Sequence, residues 1–291
     1  MNKDILIDLH ADDYAITEYN SKRILELIKL GKLDSISVIP NMSEYNACMR
    51  LLHDNWAKLP KKPKISVHVN LIDGRYLTTG KYIGSSWKHW FLRGIIPIGY
   101  EKLKTKLKEE IKAQIKRVYD DLPFGAELRI DSHVHTHMIP IIFDSMMEAL
   151  EELNLTEKTE YITVCREPLM PFLIYRDIRK TIPRVNILKN IILNIFSLRA
   201  AKILNTKYPQ ITHGLLWGVI TGGRMDYSRV STMLPTMKRI AVRKNMSLEI
   251  MLHPGIVGKE AHMEEYIEDD RKAFCSENRD AEYETLMKLE R

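Results

Sequence analysis

The chain has 291 residues, 45% of them hydrophobic, which is enough apolar material for a large α/β core and too much for a disordered chain. A net charge of +6 permits a polyanionic partner, but no nucleic-acid recognition motif accompanies it. Cys48, Cys165 and Cys275 are scattered thiols without paired spacing, and neither an ~18-residue apolar run nor a signal-type leader is visible, so the expectation is a cytoplasmic protein with no membrane span, disulfide framework or Cys-based zinc site.

In chain order, residues 4–9 read as a buried strand that runs into His10-Ala11-Asp12-Asp13. Residues 18–30 predict a helix with Ile24, Leu25, Leu27 and Ile28 on its apolar face and Gly31 as its stop. Strand 35–39, helix 43–56 and strand 64–71 follow, and alternation along the last puts Ser66, His68 and Asn70 on one side. Residues 75–100 are long, irregular and aromatic (Tyr76, Tyr82, Trp87, Trp90, Phe91, Tyr100), as in a lid or binding loop. Those rings either stack on sugars or pin the loop to the body. Leu103, Leu107, Ile111, Ile115 and Val118 mark a long amphipathic helix.

Three imidazoles and a carboxylate then fall within seven residues, Asp131-Ser132-His133-Val134-His135-Thr136-His137. On a regular strand end, Asp131, His133, His135 and His137 share one face, and such spacing aims several metal donors at one point. The alternative is a histidine-rich loop with no ligand role. A helix over 141–153 and a strand over 161–165 come next.

Residues 171–212 break the rhythm. From Arg176 to Lys207, eight Lys and Arg residues face Asp177 alone, around an apolar centre. This predicts a basic helical insertion, either a cap or subunit contact near the mouth of the fold or an interface with anionic lipid or substrate. Asn186, Asn190 and Asn194 recur on one helical face, which favours the protein contact and hence a homo-oligomer. The alternation resumes with a strand over 214–219, a helix over 228–244, a strand over 247–252 ending in His253-Pro254-Gly255, and acidic helices from about 260 to 290. At least six strands alternating with helices predict a single parallel, barrel-like α/β domain over residues 1–291.

Asp12-Asp13, His68, His133 with its neighbours, and His253 all fall at predicted C-terminal strand ends, which in such a fold converge on one pocket. One carboxylate and two imidazoles leave metal positions open for water; a second carboxylate and a separate histidine supply a base and an acid. That is the equipment of metal-assisted hydrolysis.

Ala11-Asp12-Asp13-Tyr14, His68-Val69-Asn70-Leu71, the Asp131–His137 run and His253-Pro254-Gly255 resemble, in order and spacing, the four motifs of the YdjC-type carbohydrate deacetylases, which include chitooligosaccharide deacetylases. The resemblance implies a distorted (β/α) TIM-like barrel and hydrolysis of the N-acetyl group of an acetamido sugar, releasing acetate. It places Asp13, His68 and His133 as metal ligands, Asp12 as general base and His253 as general acid. The implied cofactor is a divalent ion, Mg²⁺ by the resemblance, although the donor set equally suits Zn²⁺. His135, His137 and Asn70 stand as substrate contacts or supports for the ligands, and Arg166 either orients Asp12 or forms a surface ion pair near Glu167. His10 and Ala15 depart from the family pattern, which commonly has Asn and Gly there; this bears on substrate preference more than on the reaction. The rival readings are a barrel phosphoesterase, which would gather more than one metal, and a non-catalytic metal- or sugar-binding homologue.

Overall fold

Each strand of this chain is short and almost wholly buried, and each is followed by a segment able to cross back as a helix, the pattern that builds a parallel sheet. The computed structural model describes residues 6–258 and 263–290. In chain order the elements are β1 (Ile7–Tyr14), α1 (Glu18–Lys29), β2 (Ser35–Val38), α2 (Tyr45–Trp56), β3 (Lys64–Val69), α3 (Trp87–Ile95), α4 (Tyr100–Asp120), β4 (Leu128–Ser132), α5 (Pro140–Glu152) and β5 (Thr159–Ile162). There follow α6 (Met170–Ile174), α7 (Arg176–Thr181), α8 (Arg184–Lys207), β6 (Leu215–Trp217), α9 (Tyr227–Lys244), β7 (Leu248–Leu252), α10 (Glu268–Phe274) and α11 (Asn278–Lys288).

The seven strands form one sheet in the order β5-β4-β3-β2-β1-β7-β6, and every pairing is parallel. All seven carboxyl ends therefore reach the same rim. The sheet curls so that its outer strands approach. One parallel bridge pairs Tyr161 with Thr212, and Ile162 N donates to Thr212 O at 3.1 Å while Thr212 N donates to Glu160 O at 2.9 Å. The continuous ladder is thus a half-barrel wrapped by helices, with a single-bridge seam between β5 and β6, rather than the complete ring of a full barrel.

Apolar faces of the helices close over the outside of the sheet: Ile24, Leu27 and Ile28 of α1 and Ile111, Ile115 and Val118 of α4 are fully buried. The concave side is polar. Arg129 is 2% exposed and its guanidinium bonds Asp8 at 2.5 Å and Glu249 at 3.2 Å. These charges form a floor beneath the rim, each ion answered by another because none is reachable by water.

The aromatic stretch is anchored rather than free. Trp90 is buried and its indole N–H donates to Leu71 O at 2.7 Å, Trp87 stacks on Phe91 at 5.2 Å, and Phe91 meets Phe196 of α8 at 6.2 Å. Trp87, Trp90 and Phe91 thus pin the stretch to the body.

Candidate active site at the carboxyl rim

Adjacent residues on a regular strand point to opposite faces, so Asp12 and Asp13 share a pocket only if β1 departs from regularity. It does: the register against β2 moves from Ala11↔Ile36 to Tyr14↔Val38, placing three steps of β1 against two of β2. Asp13 takes up the extra residue in the left-handed region at φ 69°, and Ala15 follows at φ 70°. Ala15 thus adopts the backbone that a glycine would favour, without one. The bulge brings both carboxylates to the same cleft.

Asp13 divides its oxygens. Both terminal nitrogens of Arg279 donate to Oδ2 at 3.0 Å, while Oδ1 is buried without a hydrogen bond. Burial opposes charge on this carboxyl, but Arg279 and then His133 hold it well below the usual carboxylate range. His68 is arranged in the same manner. Its Nδ1–H donates to Asp131 Oδ1 at 2.6 Å, and its Nε2, also buried without a hydrogen bond, stands 3.7 Å from Asp13 Oδ1. His133 turns Nδ1 to Asp13 Oδ1 at 3.3 Å and Nε2 to Asp270 Oδ2 at 3.3 Å. Each imidazole thus spends one nitrogen on a carboxylate and aims the other at a common point, the usual support of a metal-ligating histidine. One donor atom each from Asp13, His68 and His133 lies within 4.8 Å of the others. Two orphaned buried atoms and a borderline-to-hard donor set fit a divalent cation.

Beside this point, Asp12 Oδ1 lies 3.1 Å from His10 Nε2, and Asp12 Oδ2 lies 3.7 Å from His253 Nε2. His10 is fully buried on Ser35 and Ser37 of β2, and its Nε2 is also 3.4 Å from Asp131. The residue that departs from the family pattern therefore positions Asp12. Glu282 accepts the His253 backbone N–H at 2.5 Å and lies 3.6 Å from the ring Nδ1, an ion-pair contact rather than a hydrogen bond. Burial works against charge on His253, yet Glu282 and the two aspartates raise its pKa and favour the imidazolium.

Asp12, Asp13, His133 and His253 line an open cleft of about 220 Å³, with His135, Lys189 and Phe274 among its other walls. Glu167 holds from behind the stretch of wall that contains Gly218 and Val219. It is fully buried and accepts the N–H groups of Gly218 and Ile220 at 2.8 Å and Val219 at 3.2 Å, with the Asn190 amide at 3.0 Å. A Cβ on Gly218 would lie 2.9 Å from Met251 O, so this wall seats against β7 only as glycine.

Several sequence-based expectations require correction. β4 ends at Ser132, and Val134 (φ 46°) and His135 (φ 63°) turn the chain left-handed, so Asp131, His133, His135 and His137 do not share a strand face. His135 reaches the cleft as a neutral imidazole, its pKa pushed well down by burial and by Lys189. His137 does not line it; its Nε2–H donates to Thr163 O at 2.7 Å and its Nδ1 meets the Ser132 hydroxyl at 2.6 Å, tying β4 to β5. Asn70 lies behind the rim, its side chain bonding Asn41 and the backbone of Ile72 and Asp73. Arg166 pairs with neither Asp12 nor the buried Glu167; its guanidinium sits 4.0 Å from the sulfur of Met246, which precedes β7, whereas His253 follows it. Reasoning from sequence passed over Asp73, Asp270 and Arg279, the last two carried to the cleft by the terminal helices, and Glu282 behind His253. Asp73 is pushed up to about 8 by burial and by the Asp270 carboxylate beside it.

The family described as YdjC-like protein matches residues 6–290. A carbohydrate deacetylase of Clostridium beijerinckii is 25% identical over 150 residues, 50% of this chain and 57% of that protein. A carbohydrate deacetylase of Thermoanaerobacter pseudethanolicus is 24% identical over 150 residues with the same coverage. The matched stretch thus spans little more than half the length of these relatives. Among solved structures, an Enterococcus faecalis protein provisionally described as a cellobiose-phosphate cleavage protein superposes with a TM-score of 0.58 at 15% identity, over 99% of this chain and 92% of that one. At that identity the likeness concerns the fold.

Proposed function

The chain belongs to the YdjC-like family, and on that premise we propose that it is a metal-dependent carbohydrate deacetylase that removes the acetyl group from an acetamido sugar and releases acetate. The observation that carries this reading is the convergence of Asp13 Oδ1 and His68 Nε2, both buried and unbonded, with His133 Nδ1, beside Asp12 and His253. Asp13, His68 and His133 hold the cation, and Arg279 keeps Asp13 ionised for that purpose. When bound, the cation supplies Lewis acidity, polarising the acetyl carbonyl and acidifying water. Asp12, held by His10, takes the proton from the attacking water. His253, kept as imidazolium by Glu282, delivers a proton to the amine nitrogen, which otherwise leaves poorly. His135 is placed to contact the sugar. The resemblance favours Mg²⁺; two imidazoles and one carboxylate also form a Zn²⁺ set.

The test is acetate release from a panel of N-acetylated mono- and disaccharides, before chelation, after it, and with metal restored. Activity lost to chelation and recovered with metal supports the proposal; no acetate from any acetamido sugar under metal-replete conditions overturns it. One feature favours a second reading. Asp73 and Asp270 form another potential ligand group that shares His133, as a two-metal phosphoesterase would require. Two metals per chain with phosphate release, and no acetate, would select it.

A further inference from the structure

The outward face of α8 is apolar where a soluble surface is normally polar. Helix α8 packs on the body through Asn190, Leu193, Ser197, Ala200 and Leu204. Directly opposite, Val185, Leu188, Ile191, Ile195 and Leu198 face solvent, with Leu188 58%, Ile195 60% and Leu198 63% exposed. The asparagines that favoured a protein contact turn inward: Asn186 bonds Ile220 O at 3.0 Å, and Asn190 and Asn194 bond Glu167. From Val185 to Leu198 this face consequently offers no hydrogen-bonding side chain, whereas protein interfaces carry about one hydrogen bond per 100–200 Å². The face is extended beside α3, joined through the Phe91–Phe196 contact, by the exposed Leu92, Ile95 and Ile98, the last 84% exposed.

Charge selects the occupant. Arg184 and Lys202 are 18 residues apart, five turns, and so lie on the same outward line at the two ends of the apolar face. Across α7 and α8, Asp177 is the lone carboxylate, and it contacts Lys180 at 3.7 Å. A second copy packed symmetrically on this face would set cation against cation with no acid to answer. An anionic lipid surface answers both features, taking aliphatic side chains below its headgroups and cations among them. No described helix is long and apolar enough to cross a membrane, so the contact is interfacial.

We propose that the outward face of α8, with the adjoining end of α3, docks the protein on an anionic lipid surface, and that the acetamido sugar it processes is carried on a membrane lipid. The second half rests on the deacetylase reading; the docking does not. Asn186 and Lys189 of the same helix line the cleft, so a docked molecule holds its site one helix diameter, ~10 Å, from the lipid.

Flotation with phosphatidylcholine vesicles, with and without phosphatidylglycerol, tests the docking. The full chain should bind the anionic vesicles at least about tenfold more strongly, Arg184→Gln and Lys202→Gln should each weaken binding about fivefold, and Leu188→Glu/Ile195→Glu should abolish it. Absence of flotation on anionic vesicles overturns the proposal, as does a dimer in sedimentation velocity that Leu188→Glu/Ile195→Glu dissolves, since a second copy then covers the face. Acetate release from a vesicle-borne acetamido glycolipid should exceed that from its soluble sugar at least about tenfold, and Leu188→Glu/Ile195→Glu should erase the advantage while sparing the soluble reaction. Equal rates on both overturn the lipid-borne substrate and leave docking standing. Flotation with no acetate from either substrate means that the deacetylase reading, not the docking, has failed.

Discussion

Asp131 offers a stringent test of the proposed centre, because it is outside the Asp13–His68–His133 group yet determines whether His68 can serve in it. Its Oδ1 accepts the His68 Nδ1–H at 2.6 Å, and its Oδ2 accepts from the Ser37 hydroxyl and lies 3.4 Å from His10 Nε2. In Asp131→Asn, an amide NH₂ facing His68 forces Nδ1 to accept, which moves the ring proton to Nε2, the nitrogen needed by the cation. The flipped amide instead sets its NH₂ against Ser37 and His10 and weakens that side. The first arrangement loses the ligating tautomer; the second keeps it, but a neutral amide oxygen holds the Nδ1–H less tightly than a carboxylate and the Ser37 and His10 contacts are given up. Loss of such an outer partner typically lowers metal affinity 10–100-fold, or about 1.4–2.7 kcal/mol. Competition with a chromogenic chelator measures the affinity, and a circular dichroism melt confirms that the variant is folded. A folded Asp131→Asn protein that binds the cation within about twofold of wild type would refute the assignment of His68 Nε2 as a ligand.

Three further outcomes are expected. His68→Ala and His133→Ala should each lose the bound ion in elemental analysis, since one of three protein donors is gone; full occupancy in both would remove the proposed site. Asp12→Asn should retain metal while acetate release falls by about 10²–10⁴, because an amide cannot take the water's proton; near-normal turnover would send the search for the base elsewhere. Glu167→Ala strips the acceptor from three backbone N–H groups and should cost about 3 kcal/mol or more, a fall in Tm of roughly 6–12 °C. Burial pushes the Glu167 carboxyl from 4.5 up to about 7, against its backbone donors and Asn190. Because the folded pKa is the higher one, its contribution is complete below pH 4.5 and is lost as pH rises through 7. The stability gap between wild type and variant should therefore shrink by about 3 kcal/mol from pH 4.5 to above 7, and a gap that widened with pH in denaturant titrations would contradict the burial argument.

The rim was legible in the sequence because parallel strands leave a polar residue wherever apolar runs end, and Asp12, Asp13, His68, His133 and His253 all lie at such ends. What the period-two reading missed was backbone handedness. Neither the left-handed Asp13 nor the Val134–His135 turn carries a glycine to announce it. The partners of the rim residues were illegible for another reason: Arg279 reaches Asp13 across 266 positions, and nothing in the acidic closing helices separates Arg279, Glu282 or Asp270 from residues facing water. In α8 the asparagine stripe was visible, but its direction was not. Once Glu167 is known to be buried, that stripe is drawn inward, and the apolar stripe is left outside.

The single-bridge seam has a consequence for how such a protein can diversify. Where strands are laddered, a longer connection must still deliver its strand in register, and a slip of one residue turns every side chain over. Between β5 and β6 the one bridge is Tyr161 with Thr212, joined beyond it by Leu216 N donating to Arg166 O at 3.1 Å, and α6, α7 and α8 all lie in that connection. A change in its length or sequence imposes no register on the sheet, and Glu167 anchors its return through Asn190 and the 218–220 backbone. The seam is therefore the natural site for transplantation: a different segment between β5 and β6, with that anchor kept, would redirect the molecule to a new surface while the carboxyl rim stays as it is.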